Sequence, residues 1–85
     1  LERGQLQVEL YIPKEEDLQT PHERDECYVI AKGSGQFIMG DKTIDFKPGD
    51  FLFVPARMPH KFINFGAEME TWVIFYGPVG GDIRE

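Results

Sequence analysis

The sequence predicts an all-β protein, a small closed barrel or two-sheet jelly roll. Three observations lead there. No window of the 85 residues carries a 3.6-residue apolar period, so no helix is expected. Short apolar runs are broken by Gly, Pro and Asp roughly every ten residues, the spacing of a β-sandwich or barrel. Finally, about eight short strands in one small domain, residues 1–85, cannot bury a face as an open flat sheet and must close on themselves.

Residues 6–12 open the strand pattern. Leu6, Val8, Leu10 and Ile12 share one face and Gln7, Glu9 and Tyr11 the other, as in a half-buried strand. Pro13 removes a ladder donor and ends it. Residues 14–21 are polar and read as a loop. The second strand, 26–31, carries Glu26, Tyr28 and Ile30 on one face and Cys27, Val29 and Ala31 on the other. Gly33-Ser34-Gly35 turns the chain. Residues 36–39 and 42–46 flank Gly40-Asp41 and form a hairpin. Pro48-Gly49-Asp50 is the next turn, followed by a strand at 51–54 that Pro55 closes. A strand at 60–65 places His60, Phe62 and Asn64 on one face, and 69–76 is the last and most apolar strand. Tyr28, Phe37, Phe51, Phe53, Phe62, Trp72 and Phe75 are most simply core, some of them also walling a pocket.

Strands 26–31 and 69–76 are apolar on both faces. One face would line the barrel and the other would meet a second subunit, so a homodimer is expected. A domain of this size buries a modest share of its surface. Cys27 is the only cysteine, so no disulfide adds stability. The formal net charge of −6, from 15 acidic and 9 basic residues, disfavours a phosphate backbone as partner, and no Lys/Arg cluster offers a nucleic-acid surface. No apolar run is long enough for a membrane helix and no signal-peptide pattern is visible, so the expected location is the cytoplasm, away from membranes.

The chemistry-bearing residues are His22, Glu26 and His60. Even spacing on extended backbone puts His22 and Glu26 on one face, and His60 arrives from another strand with the inward phase of Phe62. Two imidazoles and a carboxylate form a 2-His-1-carboxylate set, suited to a divalent Zn, Fe, Mn or Ni ion with positions left for water or substrate. Arg24 and Arg57 are placed near the barrel entrance. Arg57 either holds a substrate carboxylate bidentately or is a surface arginine. Cys27 lies on the face opposite Glu26, a poor place for a nucleophile.

The two stretches around these residues resemble the cupin motifs. The first motif runs G-x5-H-x-H-x3,4-E-x6-G, and here His22, Glu26 and Gly33 fall at its spacing. The second runs G-x5-P-x-G-x2-H-x3-N, matched by Gly49, Pro55, His60 and Asn64. The motifs and their spacer cover about half of the chain. The resemblance implies a small double-stranded β-helix barrel in which His22, Glu26 and His60 ligate the metal and Asn64 sits near the site. Two departures stand out. Thr20 occupies the place of the first motif's opening imidazole, and Arg57 stands where the second motif has glycine. Gln19, Thr20 or Asp25 would be the source of a further ligand. Two classes of function follow. One is a metal-dependent enzyme, dioxygenase- or isomerase-like, acting on a small organic molecule. The other is a non-catalytic small-molecule or sugar-binding module that needs no metal. The fold alone does not choose between them.

Overall fold

The computed structural model describes residues 1–13 and 22–81. Its strands are β1 (Glu2–Arg3), β2 (Leu6–Tyr11), β3 (Asp25–Lys32), β4 (Gly35–Met39), β5 (Lys42–Phe46), β6 (Phe51–Val54), β7 (His60–Ile63) and β8 (Glu70–Tyr76). A five-stranded sheet has the order β1-β2-β8-β3-β6, and a three-stranded sheet the order β5-β4-β7. Every pairing is antiparallel. The expected all-β barrel is thus the observed fold. The 14–21 loop lies outside the described residues.

The strand boundaries follow local chemistry. Met39 pairs with Lys42 across Gly40-Asp41, the predicted two-residue hairpin, with Gly40 at φ 60°. The expected 60–65 strand stops at Ile63 because Asn64 turns to φ 53°, a left-handed conformation that Asn tolerates better than most residues. Asp50 tightens the turn before β6. Its carboxylate accepts from the Lys47 backbone N at 2.9 Å and from Nζ at 3.0 Å. The side-chain bond, then the backbone bond, holds its carboxyl below the ordinary carboxylate range. The first hairpin, Arg3 against Leu6, was not expected from the sequence.

The core between the sheets holds Tyr28, Ile30, Phe37, Phe46, Leu52, Val54, Phe62, Met69 and Val73. Its rings meet edge-on, with Tyr28 and Phe62 centroids 4.9 Å apart and Phe46 and Phe62 5.4 Å apart. Such contacts add about 0.5–1.5 kcal/mol per pair beyond burial.

Two expectations are corrected here. Phe51, Phe53 and Trp72 are not core: they are 61%, 43% and 45% exposed. Strand alternation explains this, because Leu52 and Val54 take the inward positions of β6, and Thr71 and Val73 those of β8. The apolar face of β2 also points outward, leaving Leu6, Leu10 and Ile12 exposed. Register then builds two apolar rows across the outer face of the larger sheet. One runs Leu10–Trp72–Val29–Phe51 and the other Val8–Ile74–Cys27–Phe53. The inner rows are Gln7–Phe75–Glu26–Val54 and Glu9–Val73–Tyr28–Leu52. The polar face of β2 therefore lies on the inner side of the sheet, where half-buried Gln7 and exposed Glu9 line a cavity together with His22.

Candidate metal centre

Glu26 sits on β3, paired with Val54 of β6 on one side and Phe75 of β8 on the other. A strand held on both edges fixes its side chain with little freedom. His60 opens β7, opposite Met39 of β4, so it comes from the other sheet. His22 precedes β3 and is held by its backbone. Its carbonyl accepts from Arg57 N at 2.6 Å, and the neighbouring Glu23 carbonyl accepts from Gly80 N at 2.6 Å. Arg57 supplies its bond from φ 66°, the left-handed conformation that the motif's usual glycine would adopt freely.

The three side chains converge. One ligand atom from each of His22, Glu26 and His60 lies within 4.8 Å of the others. His60 Nε2 is 2.9 Å from Glu26 Oε1, and His22 Nε2 is 3.9 Å from the same oxygen. His22 packs edge-on against Phe75, with centroids 5.0 Å apart, and its ring is 5.6 Å from that of His60. Glu26 and His60 are closed off from solvent, whereas the His22 side chain is 35% exposed.

The hydrogen bonds around these groups fit a cation. His60 Nδ1 lies 2.8 Å from the Met58 carbonyl, which can only accept. The ring proton is thereby fixed on Nδ1 and the Nε2 lone pair faces the centre, the arrangement that backbone carbonyls impose on metal-binding histidines. Tyr28 Oη, 3.1 Å from Nε2, can donate to that lone pair. Glu26 is different. Despite the close approach of His60, the geometry makes no hydrogen bond, and among the described residues both buried carboxylate oxygens lack a hydrogen-bond partner. A buried carboxylate left this way costs several kcal/mol. A divalent ion among the three groups would neutralise the charge and engage the lone pairs, so the donor set fits a metal.

The structure also places the other candidates. Asp25 Oδ1 accepts from Ala56 N at 2.8 Å and does not join the cluster. Gln19 and Thr20 lie outside the described residues. Asn64 is corrected: it is exposed and donates from Nδ2 to Gln36 Oε1 at 2.7 Å, bracing β4 rather than the site. Arg57 is the surface arginine, 65% exposed and 3.0 Å from Glu23 Oε2. Cys27 is buried on the outer face. Burial is the main reason its thiol is pushed above the ordinary range. The Tyr76 hydrogen bond opposes that shift, while Asp25 and Glu26 add to it.

Above the cluster opens a cavity of about 350 Å³, lined by Gln7, Glu9, His22, Glu23, Arg24 and Phe75. His22 is its link to the buried Glu26 and His60. Gln7 and Glu9 escaped the sequence reading because polar residues on an alternating strand look solvent-facing. Tyr28 looked like plain core, although its shared parity with Glu26 was the available signal.

An antiparallel barrel with Glu26 and His60 from facing sheets inside it, and His22 beside them, is a cupin barrel. Residues 7–76 match the Cupin_2 family, described as a cupin domain, and the chain belongs to that family. An uncharacterized protein of Streptomyces coelicolor is 32% identical over 62 residues, which make up 73% of this chain and 59% of that protein. This chain thus spans less than two thirds of that relative's length. A crystal structure of a cupin-2 domain-containing protein from Shewanella frigidimarina superposes with a TM-score of 0.74 at 22% identity, covering 91% of this chain and 76% of that one. A Ralstonia eutropha protein with a provisional mannose-6-phosphate isomerase assignment also gives 0.74, at 23% identity, covering 92% and 80%. At these identities the superpositions speak for the fold.

Proposed function

We propose that the protein is a divalent-metal cupin. His22, Glu26 and His60 hold one Zn, Fe, Mn or Ni ion, and the cavity brings a small organic molecule to it. The observation that carries this reading is Glu26, a carboxylate 1% exposed with neither oxygen hydrogen-bonded among the described residues. A bound divalent ion with open positions polarises a carbonyl or binds dioxygen. Around the ion the chain's own groups have distinct tasks. Met58 O orients His60, Phe75 orients His22, and the Tyr28 hydroxyl holds a proton beside His60 Nε2.

One observation favours a metal-free binding module instead. Tyr28 and Met58 together satisfy both nitrogens of His60. It leaves Glu26 unexplained, so we rank it second. Elemental analysis separates the two. Purified protein reconstituted with Zn(II), Mn(II) or Fe(II) is expected to hold about one equivalent, with Zn and Ni favoured in vitro by the Irving–Williams order. His60→Ala is expected to lose it. Wild-type protein below roughly a tenth of an equivalent would leave the binding module standing.

The homodimer belongs to the same proposal. The two outer apolar rows cross four strands, a patch about 14 Å wide at ordinary strand spacing. Monomers rarely expose contiguous apolar patches beyond a few hundred Å², and the face can meet its own copy about a two-fold axis. Sedimentation should show a dimer for the wild type, and Trp72→Glu should convert it to monomer with the barrel still folded. A monomeric wild type at micromolar concentration would contradict the assignment.

A further inference from the structure

We infer that the cavity takes a small carboxylate, with Arg24 as its anchor; the inference rests on the metal reading and deepens it. Arg24 lines the cavity beside His22. Its Nε donates to the Gly77 carbonyl at 3.1 Å, which fixes the guanidinium plane. Its Nη2 is buried and, among the described residues, has no hydrogen-bond partner. A cationic donor in that state is costly, and an incoming carboxylate oxygen is the acceptor that relieves it.

Charge narrows the ligand further. Glu23, at the cavity wall, is neutralised by Arg57 at 3.0 Å. That leaves Glu9 and Glu26 against Arg24, one negative charge in excess with both histidines neutral. A divalent ion reverses the sign to one positive charge. A singly charged carboxylate then leaves the site neutral, whereas a phosphate dianion leaves it negative. Carboxylate binding should therefore depend on the metal, and phosphate should compete poorly. One end of the ligand meets Arg24 and the rest reaches toward His22 and the ion.

The test uses Mn(II)-loaded protein, with glycolate, its neutral amide and inorganic phosphate as probes, read by calorimetry and by water-proton relaxation. Wild type should bind glycolate more tightly than glycolamide or phosphate. Arg24→Gln should weaken glycolate roughly tenfold or more and leave glycolamide within about twofold, the size expected for losing a charge-assisted hydrogen bond. Arg24→Lys should fall between them, since a point charge replaces the planar fork. Full metal content with unchanged glycolate affinity in Arg24→Gln overturns the carboxylate inference alone, as does phosphate binding tighter than glycolate. Protein that takes up no Mn(II) overturns the metal reading and this one with it.

Discussion

Glu26→Gln is expected to stabilise the metal-free protein and to abolish its metal binding. The two effects have opposite signs for one reason. Without a metal, the Glu26 carboxyl is 1% exposed, and among the described residues neither oxygen has a hydrogen-bond partner. Glutamine keeps the shape and removes the charge. Its amide can also donate toward His60 Nε2, 2.9 Å from the present carboxylate oxygen, beside the Tyr28 hydroxyl. Replacing a buried unpaired charge by a paired neutral group is worth about 1–3 kcal/mol. In a domain of this size that raises Tm by roughly 4–24 °C. With metal the order reverses. Zn(II) at a hundred times its Kd should stabilise the wild type by about 2.7 kcal/mol and leave the glutamine variant unmoved. Thermal melts of both proteins, with chelator and with Zn(II), check it. A metal-free glutamine variant less stable than wild type would mean that the carboxylate has a structural partner, and the case for a cation at Glu26 would fall.

Gly33→Ala is expected to be strongly destabilising. Gly33 sits at φ 85°, and a Cβ there would lie 2.9 Å from Met69 Cα, a backbone atom that cannot step aside. The left-handed conformation alone costs a residue with a Cβ about 1–2 kcal/mol, and the collision adds to it. A total of roughly 2–4 kcal/mol is a large share of a stability near 0.05–0.15 kcal/mol per residue. Gly49 is the control. Its φ is 91°, but a Cβ there meets nothing within 4 Å. Gly49→Ala should therefore cost only the dihedral term. Urea midpoints compare the two, and equal losses would show that the Met69 contact yields easily.

The sequence shows where each site residue lies better than which way each strand faces. Glu26 and His60 were legible because their spacing to Gly33, Pro55 and Asn64 is fixed by turns, and turn chemistry is local. Strand β2 was misjudged for a different reason. Alternation defines two faces without naming the inner one. In an ordinary barrel the apolar face goes in; here Gln7 and Glu9 line a cavity on the inner side, and the apolar rows are left outside. Strands β6 and β8 are apolar on both faces, so alternation alone could not say that Phe51, Phe53 and Trp72 lie on the outer one. Arg24 could be placed at the entrance, but its unpaired nitrogen depends on the Gly77 carbonyl, distant in sequence. Tyr28 shows the reverse: a core ring by composition, it reaches the site because it shares the inward parity of Glu26.

The central claim is that one ion sits among His22, Glu26 and His60. Anomalous diffraction from a reconstituted crystal, collected on both sides of the metal's absorption edge, tests it most directly. The account predicts a single strong peak per chain within about 2.0–2.3 Å of an imidazole nitrogen of His22, an imidazole nitrogen of His60 and an oxygen of Glu26. A crystal with no peak there, or with its peak elsewhere on the barrel, would contradict it.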